Sequence, residues 1–265
     1  MSNPLSRSNL VQSAAFVALI ALAAWGIAVG ASAMPYHWQW HRVLPFVVRV
    51  IDGEFYAGPL IRGLGVSLRI SALAFGVTLV AGLAAALLLL SSSIVGRALA
   101  RAYVEVIRNT PLLVQLYLFY FVLAPILGIG REATGVLALG LFEGAFAAEI
   151  IRAGILAVPH AQTEAAQSLG LMRAQIYRFV VLPQALRIVL PPLTSLSISL
   201  VKHSAIVSAI AIFDLTNEGR NIIADTFMTF EIWLTVALIY LVVTTTMSWF
   251  ASLLEIRLHT DIRRS

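Results

Sequence analysis

Six long apolar stretches run through this 265-residue chain, and they constrain its fold more than any other feature. A helix that spans a bilayer needs about 20 mostly apolar residues, because each residue adds about 1.5 Å across a hydrocarbon core of about 30 Å. The stretches that meet this requirement have the approximate bounds 10–33, 66–90, 111–129, 133–158, 188–212 and 232–254. The sequence therefore predicts an all-α integral membrane protein with six transmembrane helices.

The composition supports a membrane protein and excludes several soluble classes. Hydrophobic residues make up 60% of the chain and charged residues 12%, and the mean hydropathy is +0.90. An average soluble domain has about twice that share of charged residues. The absence of cysteine excludes disulfide scaffolds and thiol chemistry. The net charge of +5 is read as a sign of membrane topology, and we expect no nucleic-acid partner.

The distribution of basic residues predicts the orientation, because cytoplasmic loops are enriched in Lys and Arg. With the N-terminus in the cytoplasm, six spans return the C-terminus to the same side. Eleven arginines then lie inside and six outside, and Lys202 lies in the fifth stretch. We therefore predict that both termini are cytoplasmic.

The first apolar stretch has two interpretations. Ala31, Ser32 and Ala33 resemble a signal-peptidase site, and Arg7 supplies a positive flank. However, a run of about two dozen apolar residues exceeds the roughly 7–15 residues of a signal-peptide core. We favour an uncleaved helix, and a cleaved signal peptide is the alternative.

Sequence motifs for nucleotide binding and hydrolysis are absent. There is no GxxxxGK[ST] phosphate loop, no HExxH and no GxSxG. Ser204 beside His203 is the nearest approach to a nucleophile and base, but neighbours on a helix point about 100° apart. We therefore expect no catalytic residue, no metal site and no cofactor bound by this chain itself.

The segment 157–185, between the fourth and fifth stretches, has internal order. Pro159 can open a helix, the residues after it are good helix formers, and Gly170 stands where a left-handed C-terminal residue belongs. A second helical stretch at about 172–181 is predicted to stop at Pro183. This pattern predicts a helix-turn-helix on the membrane surface that docks a partner.

The segment resembles the EAA loop of bacterial ABC importer permeases, in which Glu-Ala-Ala is followed four residues later by Gly and then by Leu-Pro. The matching residues are Glu164, Ala165, Ala166, Gly170, Leu182 and Pro183. Further segments are similar to the polar amino acid branch of that family, which includes histidine, glutamine and glutamate permeases. They are RNTPLLVQLYLFYF at 108–121, AFAAEIIRAGILAVP at 145–159, LPQALRIVLPPL at 182–193 and VKHSAIVSAI at 201–210.

The resemblance implies a type I ABC importer fold for residues 60–255, with a five-helix core and with 157–185 as the loop that couples to an ATPase. Residues 1–59 would add a tail, an extra first helix and an outer loop, and 256–265 would form a cytoplasmic tail. The implied protein is a multi-pass permease subunit of the bacterial inner membrane that forms the translocation pathway for an amino acid. It would form a dimer with a second copy or a paralogue, surrounded by membrane lipid.

The resemblance also implies separate partner proteins. A periplasmic amino-acid-binding protein would deliver the substrate, and ABC ATPase subunits would bind ATP and Mg²⁺. Glu164 would reach a basic or amide group of the ATPase, and Ala165 and Ala166 would allow close approach. Which amino acid is carried, and whether the dimer is homomeric, are left open.

Charged residues inside apolar spans need a partner or a cavity, because an ionisable group in the membrane costs several kcal/mol. Glu149 and Arg152 are three residues apart on one side of a helix, which favours a structural ion pair. Glu143 lies nearer mid-span and could meet the ammonium of an amino acid or pair with Lys202. Glu143, Lys202 and Ser204 are therefore candidate residues of the substrate pathway, with a structural role as the alternative.

A second function class stays open at this point. A stand-alone secondary transporter or channel for small polar solutes would also be a polytopic helical protein. Such carriers are typically built from inverted repeats and broken helices. The sequence has no convincing internal repeat, and six helices are few for a complete carrier, so the permease subunit is favoured.

Overall fold

The computed structural model describes residues 4–34 and 36–260, and the chain forms two compact units, Met1–Gln39 and Trp40–Ser265. The first unit contains one helix, α1 (Pro4–Ala33). Its apolar part, from Gln12 to Ala33, is long enough to cross a membrane, and none of its described side chains is buried. Residues 261–265 of the predicted C-terminal tail lie outside the described residues.

The second unit begins with a short helix, α2 (Leu44–Val47), and an antiparallel hairpin of β1 (Val48–Ile51) and β2 (Glu54–Ala57). Asp52 and Gly53 form its turn, with φ of 53° and 83°. An Asp-Gly pair between β-formers is a strong hairpin signal, because both turn residues must take a positive φ. The prediction of an all-α fold was therefore wrong for this loop.

The rest of the second unit is helical. Its helices are α3 (Pro59–Leu90), α4 (Ile94–Arg108), α5 (Leu112–Tyr117), α6 (Ala124–Leu127), α7 (Arg131–Leu156), α8 (His160–Ser168), α9 (Arg173–Ile176), α10 (Leu182–His203), α11 (Leu215–Thr226) and α12 (Thr229–Thr260). Wider π-type turns at Leu118–Leu123 and Tyr177–Val181 join α5 to α6 and α9 to α10, and a 3₁₀ segment, Ser204–Ile210, follows α10.

The described residues contain five helical runs that are long and apolar enough to cross a membrane, or six if α4 is counted together with α5 and α6. The predicted third stretch, 111–129, forms only Leu112–Leu127, which is about 24 Å long. The helix before it, α4, is bent by 108° relative to it. The third span is therefore shorter than predicted, and a separate helix that the apolar count missed precedes it.

The predicted stop at Pro183 was wrong, because α10 begins at Leu182 and continues through this proline. Proline in a helix lacks an N–H and clashes with the carbonyl four residues before it. Here the π-type turn Tyr177–Val181 widens the backbone directly before Pro183, and the Leu182 N–H donates to the Tyr177 carbonyl. The fifth apolar run consequently extends from Arg173 to Ile210.

Helices α3 and α7 form the most extensive helix pair of the second unit. Glycines permit this contact: a Cβ at Gly140 would lie 2.5 Å from the Cβ of Val77, and one at Gly82 would lie 2.6 Å from that of Ala147. Small residues allow helix backbones to approach closely in membranes. The pair holds α7 rigidly, and α7 carries Glu143, Glu149 and Arg152.

Helix α11 occupies a region that the sequence interpretation left as a connection. Its N-cap is Asp214, which is fully buried and accepts hydrogen bonds from the backbone N–H groups of Thr216 at 3.2 Å and Asn217 at 2.9 Å. Burial raises the pKa of the Asp214 carboxyl from 3.8 to about 6, because it disfavours the charged form.

Candidate functional site

The short helix α8 presents the Glu-Ala-Ala triplet with one side outward and one side inward. Glu164 and Ala165 are exposed, whereas Ala166 is buried. Ala166 packs with Ile176 and Val181, so the helix is anchored to the turn that leads into α10. A docking element needs this arrangement, because a force applied to its outer side passes through the anchored side to the long helices.

Gly170 ends α8 in the left-handed conformation predicted for it, with φ of +78°. The N–H of Leu171 donates to the Ala166 carbonyl at 3.2 Å, and that of Gly170 donates to the Gln167 carbonyl at 2.9 Å. These two bonds form a Schellman motif, and Leu171 packs in the same cluster as Ala166. The turn therefore fixes the direction in which the chain leaves α8 towards α9.

Glycine at position 170 is not required by lack of space, because no described atom lies within 4 Å of a Cβ built there. The positive φ alone disfavours other residues. Leu182 and Pro183, the remaining residues of the predicted coupling set, are exposed in the first turn of α10.

Glu143 lies near the middle of α7 and is 4% exposed. One of its carboxylate oxygens, Oε1, is 2.6 Å from Nδ1 of His203, the last residue of α10. The His203 ring also contacts the Phe142 ring edge to face, with centroids 6.1 Å apart. The pair thus joins α7 to α10 in apolar surroundings.

The other candidate pathway residues lie elsewhere. Among the described residues, the ion-pair partner of Glu143 is His203 and not Lys202, which is exposed. Ser204 is fully buried, and its hydroxyl donates to the Val201 carbonyl at 2.8 Å. The structure therefore brings Glu143 together with a residue that sequence reasoning did not select.

Glu149 and Arg152 form the predicted ion pair, with Nη2 of Arg152 2.7 Å from Oε2 of Glu149. The pair lines a cavity of about 330 Å³ together with Arg101, Glu105 and Arg108 of α4. The cavity is rich in charge, and three of these five side chains are arginines. Arg108 also stacks over a ring of α7, that of Phe146, at 5.3 Å.

Two functional features were missed by sequence reasoning. His203 was noted as a scattered histidine, and no local pattern ties it to a carboxylate 60 residues earlier. The arginines of α4 were counted as loop charges, although their spacing of four and seven residues is a helical signal. Within residues 4–34 and 36–260, no group of three or more His, Asp or Glu side chains is placed to hold a metal ion.

The comparisons with known proteins agree with this geometry. The family model described as "Binding-protein-dependent transport system inner membrane component" matches residues 78–260. The chain therefore belongs to this family of inner membrane transport components. The match confirms the resemblance to ABC importer permeases drawn from the sequence.

Relatives and solved structures support the same assignment. The probable glutamine ABC transporter permease GlnM of Bacillus subtilis is 42% identical over 60% of this chain and 74% of its own length. The glutamine transport system permease GlnP of Escherichia coli K12 is 36% identical over 75% of this chain and 92% of its own length.

Two solved structures share the fold. One is a crystal structure of an amino acid ABC transporter with histidines, which is 43% identical, has a TM-score of 0.71 and covers 75% of this chain and 94% of that one. The other is the methionine ABC transporter MetNI in an inward-facing conformation, with 23% identity, a TM-score of 0.63 and coverage of 75% and 95%. At 23% sequence identity, the similarity to this second structure supports the fold alone.

Proposed function

We propose that this chain is the permease subunit of a bacterial amino acid importer, in which separate ATPase subunits bind ATP and Mg²⁺. It forms the translocation pathway in the inner membrane with a second copy or a paralogue. A periplasmic binding protein delivers the amino acid, and both chain termini face the cytoplasm. The names of the glutamine permease relatives support an amino acid as the substrate class.

The observation that carries this proposal is the two-sided placement of the Glu-Ala-Ala triplet on α8. Glu164 and Ala165 face solvent, and Ala166 is fixed in a small apolar cluster at the base of α10. An ATPase that pulls on the exposed side moves α10 through this cluster. The exposed carboxylate of Glu164 suits a basic or amide group on the ATPase.

The candidate substrate pathway passes the pair formed by buried Glu143 and partly exposed His203. The carboxylate of Glu143 suits the ammonium of an amino acid, and His203 would compete with that ammonium for it. Lys202 directly precedes His203 in α10 and is exposed, so it suits a substrate carboxylate. Uptake by Glu143→Gln and Lys202→Met tests this placement, and uptake with an unchanged rate and affinity in both variants removes them from the pathway.

The coupling role is tested by reversing the charge at Glu164. We expect Glu164→Lys to lose the ATPase when the tagged chain is purified from its native membranes. ATP-dependent uptake of radiolabelled polar amino acids into proteoliposomes should fall at least tenfold, since about 1.4 kcal/mol of lost coupling suffices for a factor of ten. Gln162→Lys is the control, because it introduces the same lysine at an exposed position of the same helix without removing a carboxylate.

Two outcomes would contradict the proposal. Retention of the ATPase and of uptake by Glu164→Lys would remove α8 from the coupling interface. Uptake driven by an ion gradient in vesicles that contain this chain alone would favour a stand-alone secondary transporter.

A further inference from the structure

Helix α4 (Ile94–Arg108) has three faces with different chemistry. The inward face carries the buried residues Ala100 and Val104, which pack against Ala85 of α3 and against Ala145 and Ala148 of α7. Tyr103 supplements this contact by donating its hydroxyl to the Leu141 carbonyl at 2.6 Å. The inward face therefore holds the helix firmly against the second unit.

The second face is apolar and exposed. Val95, Leu99 and Val106 follow one another at spacings of four and seven residues and thus form one stripe. Their side chains are 69%, 65% and 63% exposed. A stripe of this kind on a helix already anchored by another face needs an apolar environment outside the chain.

The third face is basic. Arg97, Arg101 and Arg108 lie at the same spacings of four and seven residues, and Glu105 is the one acidic residue in the sequence of α4. Arg101 and Arg108 are exposed and border the cavity of about 330 Å³. The acidic group that α7 contributes there, Glu149, is already paired with Arg152. The face therefore has positive charge available for an anion.

The direction of α4 places these faces at a membrane surface. The helix is bent by 108° relative to the α5–α6 segment, so it lies nearly perpendicular to that apolar run. It contacts α3 around Ala85 and Leu89, close to the end of α3 at Leu90, and its start is tied there because Arg97 donates to the Ser91 carbonyl at 2.7 Å. A perpendicular helix at the end of a span lies along the interface and does not cross the bilayer.

We propose that α4 is an interfacial helix that binds anionic phospholipid. Its apolar stripe enters the boundary between headgroups and acyl chains, and Arg101 and Arg108 hold a lipid phosphate at the mouth of the cavity. An apolar face opposite a Lys/Arg-rich face is the pattern of helices that lie in a membrane surface, with the apolar side buried about 5–10 Å. Charge complementarity selects anionic over zwitterionic lipid.

Lipid fits α4 better than a docked protein does. The neighbouring ends of α3 and α5 also expose apolar side chains, including Leu87 and Val114. A soluble partner that buried the arginines would leave these apolar side chains uncovered. The inference goes beyond the proposed function and does not depend on which solute is carried.

The first test measures lipid retention. The full chain, purified with its bound ATPase, is titrated with phosphatidylglycerol or phosphatidylcholine, and retained lipid is counted by native mass spectrometry. We expect a preference for phosphatidylglycerol that falls about fivefold in Arg101→Gln and further in the Arg101→Gln, Arg108→Gln double variant. Glu105→Gln should raise the preference, and Arg187→Gln, an exposed arginine on α10, should leave it unchanged.

An unchanged preference in the double variant, or an equal loss in Arg187→Gln, would overturn the proposal. The second test does not depend on the arginine variants folding. The chain has no cysteine, so Leu99→Cys supplies a single labelling site on the apolar stripe. A fluorophore there should be quenched by nitroxides near the lipid headgroup in phosphatidylglycerol nanodiscs. Strong quenching by an aqueous quencher, or shielding from both, would show that water or a protein covers α4.

Discussion

Two carboxylates of this permease, Glu143 and Glu164, differ in how their charge is accommodated. Glu143 is buried in the middle of α7 and has a partner within the chain, His203, at 2.6 Å. Glu164 is exposed on α8, a short helix anchored through Ala166. The first charge is bound into the packing of the long helices, and the second is available to another protein.

The difference follows from the energy of desolvation. A charge buried in an apolar region must be paired, because removal from water costs several kcal/mol. An exposed carboxylate has no such requirement and contributes little to folding. Changes at the buried groups should therefore reduce the stability of the fold, whereas changes on α8 should affect coupling and leave the fold intact.

The largest effect on stability is expected for Glu143→Ala. It leaves a cavity and removes the partner of His203, and the free energy of unfolding should fall by about 3 kcal/mol. The measurement is an SDS titration of the detergent-solubilised chain. Glu149→Ala is the control, because its ion pair with Arg152 is partly exposed and should contribute less than about 1 kcal/mol. Equal losses in both variants would contradict the distinction between buried and exposed charge.

The next effect concerns the pH dependence that buried Asp214 produces. Its pKa is about 6 in the folded chain and 3.8 ordinarily, so the folded state holds the proton more tightly. The resulting stabilisation is fully present below the unfolded-state pKa of 3.8 and is lost as the pH rises through about 6, a total change of about 3 kcal/mol. The unfolding of wild type and Asp214→Asn should be compared at intervals from pH 4 to pH 7.

Asparagine caps a helix as well as aspartate does but does not titrate. The stability difference between wild type and Asp214→Asn should therefore decline from pH 4 through pH 6 and level off near pH 7. A difference that is independent of pH would show that burial does not shift the Asp214 pKa.

A smaller effect is expected at Gly170. Gly170→Ala forces an ordinary residue into a φ of +78° and should destabilise the turn after α8 by about 1 kcal/mol. Hydrogen exchange of α8 and ATP-dependent uptake are the measurements. Gly170→Asn should restore much of the loss, because asparagine tolerates the left-handed region better. Failure of Asn to do better than Ala would show that φ is not the reason for glycine here.

The smallest effect on folding is expected for Glu164→Lys. The side chain is exposed, so the free energy of unfolding should change by no more than about 0.5 kcal/mol while coupling is lost. The SDS titration used for Glu143→Ala is repeated on this variant. A loss of stability as large as that of Glu143→Ala would mean that α8 belongs to the folding core.

The local structure of segment 157–185 was predictable from the sequence because its signals are local. Gly170 lies at the end of a run of helix formers, and the structure places it in the predicted left-handed conformation. The Glu-Ala-Ala triplet lies on the predicted short helix, and the spacing of Glu149 and Arg152 led directly to their ion pair. Each of these features depends on residues within a few positions of one another.

Two kinds of feature were missed: a local change of helix type and a contact between distant residues. The stop at Pro183 was the expectation for an ordinary α-helix, and the π-type turn before it made continuation possible. For Glu143 the sequence left two partners open, the ammonium of an amino acid or Lys202. The fold instead brings His203 to it, because the end of α10 packs against the middle of α7.

The sequence by itself determined that this chain is a membrane protein, that a short helix followed by a left-handed turn lies between 157 and 185, and which family it belongs to. Hydropathy, helix caps and short motifs are properties of neighbouring residues, so they can be recognised before folding. Only the tertiary structure decided which helices approach closely at Gly82 and Gly140, which side chain contacts the Glu143 carboxylate, and how α4 turns along the end of α3. These outcomes depend on side chains that are far apart in the chain and meet only when the helices pack.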